Sequence, residues 1–319
     1  MGEPEARVSV IICCYSLERF RDVLQAVSSV LAQTLPPHEV IVSVDHNLKL
    51  MEKLRTEIPA GVTLVCNTGI KGLSETRNVG IRAASGDIIA FMDDDAIAEK
   101  DWLEYLTQHF NSSAVAAVGG KIAPYWLNGD RPCWFPEELD WIIGCTYLGM
   151  PQRGNQVRNL IGCNMAFRSE VFRYIGFFSA AVGRTSKTQG IGEDSELCLR
   201  ISRNLPGALI VYEVGALVRH KVPAWRLKLG YLFKRSYDEG YHKSTVKRLS
   251  SGLAAKTMST ENSYLRYLLF IAIPQRLRHL CSWQAFLQQW AILACIAAVG
   301  IGYFTGQLKN GCQAKSIES

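Results

Sequence analysis

With 319 residues, 48% of them apolar and 20% charged, the chain has material for one large domain or two smaller ones and is too apolar to be disordered or of low complexity. Its 11 prolines and 26 glycines exclude collagen-like or linker-dominated character, and the lack of an internal repeat excludes a solenoid. The net charge of +6 is uneven: residues 1–218 carry 20 basic and 25 acidic side chains, a balance of −5, whereas residues 219–280 carry 13 and 3, a balance of +10.

Residues 8–14 form a continuous, β-branched apolar run, as a strand buried on both faces requires. Phe20, Val23, Leu24, Val27, Val30 and Leu31 then repeat at three and four, which is one face of a helix, and Pro36-Pro37 ends it. Residues 39–44, 62–66 and 87–92 read as further strands, with helices over 47–57, 73–84 and 101–110. Alternation at this spacing predicts right-handed βαβ units and a parallel sheet, which binds ligands beyond the carboxyl ends of its strands. Further along, 115–123 and 157–167 read as strands, 193–203 as a helix and 209–211 as a short strand with strand-like character to Val218. The Gly-, Ser- and Thr-rich stretch 176–192 reads as a mobile lid.

Ten cysteines without a C-x-x-C pair argue against a zinc knuckle or a disulfide framework, and the first apolar run is too short for a signal peptide. The expectation is a reducing, cytosol-facing protein. Neither G-x-G-x-x-G nor a P-loop is present, which disfavours dinucleotide oxidoreductases and P-loop enzymes.

Asp93-Asp94-Asp95, directly after a strongly apolar strand, is the sharpest chemical signal. Three adjacent carboxylates repel unless a cation sits among them, and alternation lets Asp93 and Asp95 address one ligand. Hard oxygen ligands favour Mg²⁺ or Mn²⁺; a solvated acidic loop is the other reading. Glu193-Asp194 opens a helix, either to complement its dipole or to hold a general base beside a substrate hydroxyl. His220 is either a structural hydrogen-bonding residue or a metal ligand, and Lys221 and Arg226 are placed to neutralise a diphosphate. Arg77 is either a phosphate or base-edge fork or part of a surface helix.

Taken in order, residues 8–16, the strand ending at Asp45, Arg77-Asn78-Val79-Gly80, Gly86-Asp87 through Asp93-Asp94-Asp95 and Asp101-Trp102-Leu103, Gly162-Cys163-Asn164-Met165, Gly192-Glu193-Asp194 and His220-Lys221-Val222-Pro223 with Arg226 resemble the inverting family-2 glycosyltransferases of the GT-A fold. The resemblance spans residues 8–245 and points to prokaryotic enzymes of polysaccharide or lipid-linked glycan synthesis. It implies an α/β fold, a mainly parallel mixed sheet flanked by helices, with a nucleotide-sugar half over 1–110 and an acceptor half over 111–220; composition adds a basic and aromatic helical segment over 221–260 and C-terminal apolar helices over 261–319, a membrane anchor or packed helices. It also implies a nucleotide-diphosphate sugar donor, a glycan or polyprenyl-linked acceptor, and Mg²⁺ or Mn²⁺. By the same resemblance, Tyr15, Asp45, Arg77, Asp93 and Asp94 line the donor, and Asp95 and His220 hold the metal. Gly162, Asn164, Glu193 and Arg226 border the sugar or acceptor, and Asp194 is the base. A sugar nucleotidyltransferase and a non-catalytic nucleotide-sugar- or glycan-binding protein on the same scaffold are the rivals.

The C-terminal third interleaves basic and aromatic residues over 225–248, which suits a membrane interface and, less well, RNA; no nucleic-acid partner is expected. Residues 285–304 supply 20 mostly apolar positions interrupted by Gln288 and Gln289. A spanning helix, an interfacial or re-entrant anchor and a packed soluble helix all remain open. The expected location is the cytoplasmic face of a membrane, peripheral or single-pass.

Overall fold

The computed structural model describes residues 6–150, 156–180, 192–249, 259–278 and 282–315. The chain divides into two compact units, Met1–Ala123 with Gln152–Lys221, and Pro124–Pro151 with Val222–Ser319.

The first unit is built on an eight-stranded mixed sheet. In chain order its strands are β1 (Val8–Cys14), β2 (Glu39–Asp45), β3 (Val62–Asn67), β4 (Ile88–Asp93), β5 (Ala96–Ala98), β6 (Val115–Trp126), β7 (Asn164–Arg168) and β8 (Leu209–Val222). In space they run β3-β2-β1-β4-β7-β6-β8-β5. β1 is parallel to β2 and β4, and β2 to β3, whereas β7 runs antiparallel to both β4 and β6. Because the four parallel strands share one direction, their carboxyl ends meet at one rim, with Cys13 opposite Asp93 and Asp45 opposite Asn67.

Helix α1 (Phe20–Leu31) buries Phe20, Val23, Ala26, Val27 and Val30, the stripe its spacing predicts. α2 (Leu48–Glu57) is capped by Asn47, whose side chain accepts from the Leu50 amide at 3.0 Å. α3 (Leu73–Ala83), α4 (Trp102–Thr107), α5 (Ser169–Ile175) and α6 (Glu193–Asn204) complete the layer helices. The aromatic centre of the core is Phe91, edge-on to Phe167 and Phe178 at 6.2 and 5.5 Å. Each such ring fully buried contributes about 1.5–3 kcal/mol.

Three local expectations change. Only Asn164–Arg168 of the expected strand 157–167 is a strand: the Asn164 amide turns back to the Ile161 carbonyl, while Val157 donates to Ile210. β8 is far longer than a three-residue strand, because its far end pairs with β5, a three-residue strand that only long-range pairing reveals. The helix expected over 101–110 ends at Thr107 and continues as a 3₁₀ turn, Gln108–Asn111. Most of the stretch read as a lid, residues 181–191, lies outside the described residues.

The second unit contains α7 (Leu229–Leu249), α8 (Ser259–Tyr267), a π-helical turn (Leu268–Ala272), α9 (Ile273–Leu277) and α10 (Trp283–Lys315). α7 and α10 pack backbone to backbone. A Cβ on Gly240 would lie 1.9 Å from the Val299 carbonyl oxygen, and one on Gly302 2.0 Å from that of Tyr237. Small residues at four-residue spacing on α7 (Ser236, Gly240, Ser244) create this approach. Two buried carboxylates anchor the rest: Glu138 takes a two-pronged bond from Arg276 at 2.7 and 2.8 Å, and Asp140 one from Arg131 at 2.7 and 2.8 Å.

Candidate active site

The rim of the first unit gathers acidic residues from three separate stretches of chain, Asp45, Asp93–Asp95 and Glu193-Asp194. Asp93 closes β4 with its side chain 35% exposed. The chain then turns, so the strand alternation that would have set Asp95 beside Asp93 fails after one residue. Asp94 and Asp95 are instead buried, at 4% exposure each, and both are met by Arg19: its Nη1 lies 2.8 Å from Asp94 Oδ1 and 2.9 Å from Asp95 Oδ2. Burial pushes the Asp94 carboxyl up, against the pull of Arg19. Asp95 Oδ1 in turn lies 3.3 Å from His220 Nε2, and β5 pairs Ala96 with His220 across the sheet edge. Asp95, expected on a metal, therefore sits behind His220 and beside a guanidinium.

Asp93, Cys163 and His220 form the group whose ligand atoms all lie within 4.8 Å of one another. One oxygen, one sulfur and one nitrogen donor at that spacing fit a divalent cation. The donor set fits the kind of metal that the triplet and the resemblance imply, and the carboxylate within it is Asp93.

Arg77 links this group to the Glu193-Asp194 pair. It is 2% exposed. Its Nη1 donates to Glu193 Oε1 at 2.9 Å, its Nη2 to the Gly162 carbonyl at 3.2 Å, and Asp93 Oδ1 lies 3.9 Å from Nη2. Its guanidinium also lies 5.3 Å from the Phe178 ring centre. The neighbouring Asn78 fixes α3 by exchanging two 3.0 Å bonds with the Phe178 backbone. A Cβ on Gly162 would stand 2.5 Å from Arg77 Nη2, so a side chain here would push the guanidinium aside.

Asp194 lies in the first turn of α6, where the helix dipole favours an acid. Its Oδ2 accepts from the Gly162 amide at 2.9 Å and its Oδ1 from the Ser195 amide at 2.6 Å. Burial, then the adjacent Glu193 charge, push its pKa up to about 6, with Arg77 opposing.

The other expected contacts have their own partners. Asp45 accepts from Asn67 Nδ2 at 2.9 Å and the Gly72 amide at 3.1 Å, and lies 2.8 Å from His46 Nδ1. Asn164 accepts from Trp102 Nε1 at 2.8 Å and gives both amide hydrogens, to the Lys121 and Ala216 carbonyls at 3.0 and 2.8 Å. Its amide stitches β6 and β8 to α4 and has no hydrogen left to donate. Tyr15 is 59% exposed at the rim, and Lys221 pairs with Asp22 at 2.5 Å. Arg226 belongs to the second unit, where it donates to the Ile143 carbonyl at 2.8 Å. Sequence reasoning missed Arg19, which no local pattern marks, and quoted Cys163 only as part of the Gly162–Met165 motif, not as a donor beside Asp93 and His220.

Comparison with known proteins agrees with this geometry. Residues 4–237 match the profile described as "Glycosyltransferase like family 2". Glucosyl-dolichyl phosphate glucuronosyltransferase of Haloferax volcanii is 33% identical over 308 residues, covering 95% of this chain and 96% of that protein. The succinoglycan biosynthesis protein ExoM of Rhizobium meliloti is 25% identical over 254 residues, 75% of each chain. Among solved structures, the mannosyltransferase PcManGT from Pyrobaculum calidifontis, in complex with GDP-Man and Mn²⁺, superposes with a TM-score of 0.56 at 18% identity, over 98% of this chain and 79% of its own. The fold is accordingly of the GT-A type. A family profile over most of the chain and a relative matched nearly end to end establish that this protein belongs to glycosyltransferase family 2 and is a glycosyltransferase.

Proposed function

We propose that this enzyme moves a sugar, with inversion, from a nucleotide-diphosphate sugar to a hydroxyl of a lipid-linked or polysaccharide glycan. The observation that carries this reading is the Arg77 bridge. It holds a metal-fitting group (Asp93, Cys163, His220) and a basic carboxylate (Asp194) on one rim, through Glu193 and Gly162. Direct displacement needs those two functions side by side.

Asp93 and His220 would hold the divalent cation in this scheme, and Asp95, 3.3 Å from His220 Nε2, would orient the ring as a carboxylate behind a ligating imidazole does. When bound, the cation supplies charge stabilisation to the departing diphosphate. Asp194 accepts the proton of the acceptor hydroxyl. The acceptor oxygen then bonds to the anomeric carbon as the bond from that carbon to the diphosphate oxygen breaks, and the electron pair leaves with the diphosphate. Two backbone amides fix the Asp194 carboxylate, so little reorientation is needed at that moment. Tyr15 stays with the nucleotide as an exposed aromatic face at the rim.

The test titrates a panel of nucleotide sugars with Mn²⁺ or Mg²⁺. One donor is expected to raise the melting temperature only when metal is present, since a ligand of the native state stabilises it. Adding glycosylated polyprenyl phosphate should then release free nucleoside diphosphate. Metal-independent stabilisation by every donor, with no release, would refute the assignment.

The lipid-linked acceptor draws support from the name of the Haloferax relative and from the second unit. α10 is long and apolar enough to cross a bilayer. Yet the stretch that would cross is the one packed on α7, through Ser236–Cys295, Gly240–Val299, Tyr237–Gly302 and Ser244–Gly306. Along that same stretch α7 carries Lys234 paired with Asp238, and Arg235 and Lys243 paired with Glu239. Burial would raise the Glu239 pKa, but Lys243 and Arg235 overrule it and hold it at about 2, so the carboxylate stays ionised. Charges at the bilayer centre cost about 2.5–3.5 kcal/mol each on insertion scales. We therefore place α10 in the membrane interface rather than across it. Its outward stripe of Trp283, Phe286, Trp290, Leu293, Ile301, Phe304 and Leu308 dips among the acyl chains, and the basic residues around it meet anionic headgroups. Ile301→Glu with Phe304→Glu is expected to move the protein from sedimenting anionic vesicles into the supernatant. Tags at the two ends should be digested together in sealed inverted vesicles; protection of the C-terminal tag alone would mean a spanning helix.

A further inference from the structure

Cys163 lies in the turn before β7, one residue past the Gly162 that Arg77 and Asp194 both grip. It is 3% exposed, as is His220, and together with the half-open Asp93 it completes the only group of three ligand-bearing side chains found among the described residues. Of the nearby acids, Asp94 and Asp95 both turn to the single guanidinium of Arg19. The donors that converge are therefore one carboxylate, one sulfur and one imidazole.

We propose that Cys163 is itself a ligand of the divalent metal, so that the site selects a borderline cation of the Mn²⁺, Co²⁺ or Zn²⁺ class over Mg²⁺. This rests on the metal-dependent reading above and sharpens it. The geometry supports coordination: ligands about 2.0–2.3 Å from one ion stand at most about 4.6 Å apart. Against the observed limit of 4.8 Å, closing onto a cation needs only small movements. The chemistry supports selection. Magnesium dehydrates reluctantly and takes oxygen donors, whereas sulfur and imidazole favour softer, later cations. On binding, the thiol gives its proton to solvent, and the cation is shared by the Cys163 thiolate and the Asp93 carboxylate. A cysteine in a buried turn is otherwise an ordinary small apolar residue, so the alternative is that Cys163 merely lies beside a metal held by Asp93 and His220.

The full-length protein is titrated with Co²⁺ and followed by absorbance and calorimetry. The wild type is expected to develop a sulfur-to-cobalt charge-transfer band in the near ultraviolet with one equivalent of metal. Cys163→Ser should bind Co²⁺ and Zn²⁺ at least about 10-fold more weakly, the scale of effect seen even for groups behind the ligands, and lose the band while Mg²⁺ affinity barely moves. Cys163→Asp serves as a second variant: it keeps a donor but hardens it, and should shift preference towards Mg²⁺. The other cysteines remain in each variant, so loss of the band at Cys163→Ser assigns it. Two results would overturn the proposal. If the wild type binds Co²⁺ without the band and Asp93→Asn abolishes that binding, the metal site stands and Cys163 is not in it. If the wild type binds no divalent cation even with a nucleoside diphosphate present, the metal-dependent reading falls together with the ligand assignment.

Discussion

Asp194→Asn is expected to lower transfer by about 10²–10⁴-fold, the range that a positioned general base contributes, while leaving donor affinity close to that of the wild type. The effect should fall on kcat, because the lost interaction is made only as the hydroxyl gives up its proton. Asparagine keeps the size of the side chain but can accept from only one of the Gly162 and Ser195 amides, so a melting curve must accompany the rate. The pH profile supplies a second check. Burial and the neighbouring Glu193 charge raise the Asp194 pKa to about 6. A base works in its ionised form, so the wild-type rate should be level above about pH 7 and fall roughly tenfold per unit below about pH 6. The residual rate of Asp194→Asn should lack that limb. A variant with wild-type turnover, or one that keeps the limb, would assign the base elsewhere.

The parallel half of the sheet was legible in the sequence because β1, β2 and β4 are buried on both faces and read as largely apolar runs. Their carboxyl ends, at Cys14, Asp45 and Asp93, announce the rim directly. The antiparallel half was less legible. β5 is three residues long and exists only because β8 lies beside it, and 157–163 has strand composition but meets Ile210 through Val157 and then turns back at Ile161–Asn164 instead of running on as a strand. Within the site, the sequence marked the acidic triplet but not which carboxylate faces outward. That is decided by a turn after Asp93 and by Arg19, a residue 75 positions from Asp94 that no local pattern connects to it. Asn164 shows the opposite limit. Its place in a family-like motif suggested a ligand contact, whereas its amide is spent on Trp102, Lys121 and Ala216. Residue types reveal the chemistry available, and burial and pairing decide which of it is left for a substrate.

Arg77 is where the two halves of the site are energetically joined, and its removal should be the most damaging single change to the fold of the site. Arg77→Met leaves Glu193, 6% exposed, without its cation. Breaking a buried pair from one side costs about 3–5 kcal/mol, or roughly 6–20 °C in melting temperature for a domain of this size. The double variant Arg77→Met with Glu193→Gln should recover a large part of the loss, because neither charge is then stranded, and the cycle measures the coupling. The same substitution reaches Asp194. Arg77 lowers that pKa, so without it the acid limb of the residual activity should move to higher pH. Arg77→Lys separates this positioning role from direct contact with a nucleotide. Lysine restores a positive charge but not the fork that spans Glu193 and the Gly162 carbonyl. It should therefore return the limb towards about pH 6 while recovering only part of the stability. A lysine variant with the wild-type melting temperature and a selective loss of donor affinity would instead put Arg77 on the nucleotide, as its place in the motif first suggested.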